Sequence, residues 1–174
     1  MVDTISPWGP EFEISFEVRI TRNLNPCRDE SQTLIRWHCY HSFLLFTTNG
    51  THECAFFHGH NDGCRIPGIW FRQVTPHSSP QMHLSTTYRN KNGVVTNRNV
   101  DSEGLKLKTW YSFKIKQEVS DDGARLTVTM DGNKTYTLKE DLVVRKYENV
   151  KVFRSDPFYS SMSDFCDVRK LTYK

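Results

Sequence analysis

The sequence has no apolar run longer than four residues, as in Phe43-Leu44-Leu45-Phe46. Such runs are strand-sized, so no segment is long and apolar enough to span a bilayer as a helix. It also lacks a surplus of one charge. Twenty-three Lys and Arg stand against twenty Asp and Glu, a formal charge of +3. The two signs are interspersed, which excludes the concentrated basic face that a nucleic-acid binder needs. Sustained 3.6-residue periodicity is absent, with a helical turn at most over 139–144, so a helical bundle is excluded. No Gly-x-Ser-x-Gly elbow, phosphate-cradling glycine loop or Cys-x-x-Cys pair is present. Met1, Val2, Asp3 and Thr4 lack the basic and apolar regions of a signal peptide. A chain cut from a larger or processed precursor is the simplest expectation, and a cytosolic protein stays open. Hydrophobic residues are a modest 37%, but aromatics reach 13%. Large rings fill a core with few residues, so 174 residues suit one domain spanning 1–174.

What the chain does have is period-two alternation. Phe12, Ile14, Phe16, Val18 and Ile20 alternate with Glu13, Ser15, Glu17 and Arg19. Tyr111, Phe113 and Ile115 alternate with Ser112, Lys114 and Lys116, and Leu126, Val128 and Met130 with Thr127 and Thr129. Such alternation buries one sheet face and wets the other. Asp131-Gly132 supplies the positive φ of a hairpin turn, and Asn92-Gly93 is a second turn signal. Further strands are expected over 42–48, 68–72, 82–88, 94–100, 150–154 and 166–173. Residues 22–41 and 49–67 read as irregular Cys/His-rich loops. Many short strands with regular turn signals predict an all-β fold, a two-sheet antiparallel sandwich or jelly roll.

Five cysteines, Cys27, Cys39, Cys54, Cys64 and Cys166, are an odd set. Two sequons, at Asn49 and Asn133, sit at expected turns and are glycosylation candidates. Together they point to a secreted or extracellular setting with two disulfides and one spare thiol, in an arrangement that sequence does not select.

The motif Trp8-Gly9-Pro10-Glu11-Phe12 resembles a strand opening found in a small group of invertebrate extracellular domains. Arg65-Ile66-Pro67-Gly68-Ile69-Trp70-Phe71, the Trp110 strand with its Asp131-Gly132 hairpin, and the segment from Asn149 to Tyr159 match as well. These resemble laminin G-like domains of the concanavalin A-like lectin/glucanase superfamily. The resemblance implies a jelly roll that recognises glycans or matrix proteins, often with Ca²⁺. Where it leads one to expect an acidic residue before Arg65, the chain has Cys64, with Asp62 two places earlier.

Three constellations could carry chemistry. His38, Cys39, His41, His52, Cys54, His58, His60 and Cys64 fall within 27 residues. Zinc takes such N and S ligands. The spacings match no finger pattern, and disulfides among solvated histidines are the favoured reading over zinc. A pH response of clustered imidazoles is a further alternative. Oxygen ligands for Ca²⁺ are offered by Asp62 and Asp156, with Asn61 and Asp164 nearby; an ordinary turn, or an Arg65–Asp156 ion pair, is the favoured reading of them. Trp37, Tyr40, Phe56, Phe57 and Tyr159, with His58, His60 and Asn61, form an aromatic and polar set suited to stacking on a sugar, and plugging the ends of the sandwich is an equal alternative for the rings. Trp8, Trp70 and Trp110, on strands or strand starts, are expected in the core. Glucanases of the superfamily use Glu-x-Asp-x-Glu on one strand. The only counterpart, Glu11, Glu13 and Glu17, reads as a solvated face.

The expected function is therefore a non-catalytic extracellular recognition module. The concave sheet, or loops 37–41, 56–62 and 156–164, would bind a glycan or an extracellular protein, with no nucleic acid and no membrane insertion. The alternative is a metal-dependent enzyme or glycoside hydrolase using the His/Cys loops or a carboxylate-lined groove. A second alternative is an assembly domain forming homo-oligomers.

Overall fold

The computed structural model describes residues 3–27, 39–48, 63–121, 123–140, 146–154 and 164–174. Eleven strands run through them, and no α-helix occurs among the described residues. They are β1 (Asp3–Ile5), β2 (Phe12–Ile20), β3 (Tyr40–Thr47), β4 (Gly68–Arg72), β5 (Gln81–Arg89), β6 (Val95–Asp101), β7 (Trp110–Ser120), β8 (Gly123–Met130), β9 (Lys134–Glu140), β10 (Val150–Arg154) and β11 (Cys166–Tyr173). A six-stranded sheet has the order β1-β10-β3-β4-β5-β6, and a five-stranded sheet the order β11-β2-β7-β8-β9. Every named pairing is antiparallel.

The alternation read from the sequence is what builds this sandwich. On β2, Phe12, Ile14, Phe16, Val18 and Ile20 are all buried, and the residues between them are half-buried. They meet Phe43, Leu44, Phe46, Ile69, Phe71, Met82, Leu84, Val150 and Val152 of the other sheet in one core. Aromatic rings join the layers. Phe16 packs on Phe113 of its own sheet at 5.4 Å and on Phe43 of the opposite sheet at 4.7 Å. Trp8 stacks on Phe12 at 5.4 Å and Phe46 at 4.7 Å, and its indole N–H donates to the Ile66 carbonyl. Such ring pairs add about 1 kcal/mol each beyond the area they bury.

Both turn signals hold. Asp131 and Gly132 have φ of 51° and 73°, and the Asp131 carboxylate accepts from the Ser112 backbone N–H at 2.8 Å. Gly93 has φ of 80°, in a turn where the Asn90 side chain accepts from the Asn92 and Val94 N–H groups.

Four expectations change. The strand β1 lies in a stretch read as carrying none, and it pairs only with β10. Strand β3 begins at Tyr40, inside the segment read as a loop, because Tyr40 and His41 pair with Arg72 and Phe71. Trp70 is buried, but on the side of β4 away from the core: Ile69 and Phe71 point inward, so Trp70 and Arg72 point out. Trp110 is only half-buried. It lies under two guanidinium groups, Arg169 at 4.0 Å and Arg19 at 5.0 Å.

The cysteine question is partly settled. Cys27 and Cys39 form a disulfide, Cys64 is disulfide-bonded too, and Cys166 keeps its thiol. A sulfur in a disulfide is not available as a thiolate, so Cys39 and Cys64 are not zinc ligands here. Asn133 is exposed in the β8–β9 turn; Asn49 and Cys54 lie outside the described residues.

Candidate active site

The two outer faces of the sandwich differ. On the five-stranded sheet, Glu13 pairs with Lys114 at 2.9 Å, and Glu17 pairs with Lys170 at 2.6 Å and with Arg169. Hydrogen bonds from Lys114 to Glu13 and from Lys170 and Arg169 to Glu17 hold both carboxyls below their ordinary range. That is an ion-laced solvent face, and these carboxylates do not form a catalytic pair.

The outer face of the six-stranded sheet is polar yet dry. Ser42, Trp70, His83, Ser85 and Thr87 are all buried. Strand register sets them side by side. Ser42, Trp70, His83 and Asp101 are cross-strand partners in sequence on β3, β4, β5 and β6, and Tyr40, Arg72 and Gln81 form the neighbouring row. A buried polar face without a compensating network is costly, so its hydrogen bonds matter.

The network converges on four side chains. Asp101 Oδ1 lies 2.7 Å from His83 Nδ1, and Asp101 Oδ2 lies 2.7 Å from Arg72 Nη2. Arg72 Nη1 donates to the Tyr40 hydroxyl at 2.8 Å, and the Tyr40 ring stands edge-on to the His83 ring at 5.2 Å. Burial pushes the His83 imidazole below its ordinary value, against the pull of Asp101, and Arg72 and Arg65 lower it further, so the ring is neutral at neutral pH. Burial alone would raise the Asp101 carboxyl. The hydrogen bonds and charges of His83 and Arg72 outweigh it and hold Asp101 ionised. An ionised carboxylate only accepts, so His83 donates Nδ1–H and its Nε2 keeps a lone pair.

Behind this group lies a support layer. The Trp70 indole lies against Gly68, where a Cβ would come within 2.0 Å of the ring. Arg65 sits 5.3 Å from the centre of the Trp70 ring and donates to Ser85 Oγ at 3.2 Å, and Ser85 in turn donates to Asn97 at 2.8 Å. Donors exceed acceptors here. Trp70 Nε1 and Arg72 Nε are buried with no hydrogen-bond partner among the described residues.

No protein-family model matches the sequence, and no curated protein matches it. Solved structures do match. An alginate lyase from Klebsiella pneumoniae superposes with a TM-score of 0.52 at 9% identity, over 94% of this chain and 59% of the lyase. The chain thus spans under two thirds of that lyase. An alginate lyase from Alteromonas sp. 272 gives 0.48 at 10% identity, over 95% of this chain and 72% of the lyase. The fold is the concanavalin A-like jelly roll.

That likeness supports the superfamily expectation at the level of the fold. The expectation of a non-catalytic recognition module is corrected. An alginate lyase shares this fold, and the enzyme alternative agrees with that better than a recognition module does.

Of the sugar-stacking set, Tyr40 is in the cluster. Trp37, Phe56, Phe57, His58, His60, Asn61 and Tyr159 lie outside the described residues, as do the Ca²⁺ candidates Asp62 and Asp156. Among the described residues no group of three or more His, Cys, Asp or Glu converges as a metal site. His41 lies apart from the cluster, buried against the Phe165 ring at 4.4 Å.

Sequence reasoning missed Arg72, His83 and Asp101. The signal was present on β5, where Gln81, His83, Ser85 and Thr87 alternate with Met82 and Leu84. One face of that strand is core, and the other carries side chains able to bind or move a proton.

Proposed function

We propose that the chain is an enzyme that cleaves an acidic polysaccharide by β-elimination at Tyr40, Arg72 and His83. The observation that carries this reading is the contact of a neutral imidazole, a guanidinium and a phenol on one buried sheet face. A carboxylate beside a C–H acidifies it, most of all when a cation binds that carboxylate. Arg72 suits such an anion, because its guanidinium is cationic and its side chain is 22% exposed. His83 Nε2 accepts the proton, the C–H pair forms the new C=C bond, and the glycosidic C–O bond breaks on the far side of that bond. Tyr40 suits the proton delivery to the departing oxygen, because the Arg72 guanidinium donates to its hydroxyl oxygen and so stabilises the phenolate left when the proton departs.

Hydrolysis fits less well. It takes two carboxyl groups set across the scissile bond. Asp101 is the sole acid in the described cluster, and it is tied to both His83 and Arg72. The Klebsiella pneumoniae fold neighbour is an alginate lyase, and the sugar units of alginate each carry a carboxylate, so polyuronates are the substrates to try first. The reading also places the protein outside the cell, supported by the Cys27–Cys39 disulfide and the disulfide at Cys64.

The test is turnover of alginate, polygalacturonate and a glycosaminoglycan, followed by the ultraviolet absorbance of the conjugated double bond that elimination leaves. Absorbance that grows with the native protein and is lost in His83→Ala supports the reading. New reducing ends without the absorbance would mean hydrolysis, and no cleavage of any polyuronate would sink the proposal.

A further inference from the structure

Asp101 belongs to an edge strand and touches two members of the cluster at once. One oxygen meets His83 Nδ1 and the other meets Arg72 Nη2, both at 2.7 Å. Through Arg72 the same carboxylate reaches Tyr40. The cross-strand register makes this geometry intrinsic to the sheet, since Asp101 on β6 is the direct partner of His83 on β5. Arg72 lies one row over on β4, and its Nη groups divide between Asp101 and Tyr40. Among the described residues, the charged and titratable groups around His83 are Tyr40, Arg65, Arg72 and Asp101, and Asp101 is the one anion of that set.

We infer that Asp101 is a positioning residue that fixes His83 as the Nδ1–H tautomer and locks Arg72 in the orientation that aims Tyr40. The inference rests on the elimination reading for its kinetic consequence, but the tautomer can be checked without any substrate. A neutral imidazole in water favours the other tautomer slightly. Only an acceptor held at Nδ1 makes Nε2 the base. An amide in place of the carboxylate removes that preference, because its NH₂ group can donate to Nδ1 and turn the ring's free lone pair inward. It also removes the anion that Arg72 Nη2 binds, so the guanidinium loses one of its two anchors.

The experiment is nitrogen-15 NMR of the histidine rings in the native protein, with His83→Gln used to assign the His83 signals. The expected result is a neutral His83 with the proton on Nδ1. A proton on Nε2, with Nδ1 as the acceptor, overturns the inference whatever the enzyme does. Asp101→Asn is then compared with Asn99→Ala, an exposed position two residues along the same strand. Asp101→Asn is expected to shift the tautomer and to lower kcat by about 10²- to 10⁴-fold while KM moves little. Asn99→Ala is expected to leave both unchanged. An Asp101→Asn protein with native tautomer and native kcat also overturns the inference. If the native protein cleaves no polyuronate, the elimination reading falls and the tautomer alone decides the role of Asp101.

Discussion

Replacing Gly68 by Ala should be among the most damaging methyl additions in this protein. Gly68 has ordinary extended backbone, and in an open strand Ala would be tolerated or favoured. Here the new methyl would stand 2.0 Å from Cη2 of Trp70, 2.4 Å from Cζ3 and 3.0 Å from Cζ2. Non-bonded carbons settle near 3.5–4.0 Å, so the indole must shift by about 1.5 Å. It has nowhere to go, since Trp70 is 1% exposed, with Arg65 over its ring and His83 across from it on β5. Overpacking of this kind costs about 3 kcal/mol, which in a chain of this size lowers Tm by about 9 °C. The comparison is Gly93→Ala. Nothing lies within 4 Å of a Cβ there, and the φ of 80° alone costs about 1 kcal/mol. Thermal melts of both variants, and a double-mutant cycle of Gly68→Ala with Trp70→Leu, measure the effect. The cycle should recover about 2 kcal/mol, because Trp70→Leu removes the carbons that the methyl strikes. Equal melting of Gly68→Ala and Gly93→Ala with no coupling to Trp70 would refute the packing of the indole on Gly68.

Four further outcomes follow from the same structure. The His83 pKa lies below 6.5, so the base stays unprotonated at that pH and the acid limb of kcat/KM should fall below it; a limb centred above 7 counts against His83 as base. Stability has the same sign. The unfolded chain binds this proton near pH 6.5 and the folded chain only lower, so stability from the neutral ring is present above that pH and is lost as pH falls, a slope that His83→Gln should flatten in acid melts. Burial, and then Asp167, push the Cys166 thiol from 9.0 up to about 12. Alkylation in the folded protein should therefore run about 10³-fold slower than for an open thiol, and full reactivity should return in denaturant. Cys27→Ser opens a disulfide between residues twelve apart and should cost about 3 kcal/mol in denaturant melts, while a loss under 0.5 kcal/mol would show that the link constrains little.

Most of the sandwich could be read from residue order because its strands obey one rule. Phe12 to Ile20 and Leu126 to Met130 alternate so cleanly that one face had to be core. Where a strand lacks that contrast, reading fails. Three residues of β1 carry no apolar alternation, and only the edge of β10 makes them a strand. The site was harder to see because it belongs to no segment. Tyr40, Arg72, His83 and Asp101 are ordinary residues on four strands, and only the register of β3, β4, β5 and β6 brings them together. Trp70 misled for a related reason. A buried indole on a strand looks like core, and nothing local says which side of the sheet buries it.

His83 shares its strand with Met82 and Leu84, which face the opposite layer. One added or deleted amino acid within β5 would swap the two sides of the pleat for everything beyond it. The apolar pair would be thrown onto the polar side and the imidazole driven into oil, so folding and chemistry would be lost together. Lineages of this protein can therefore change the length of their connections far more readily than the spacing inside this strand.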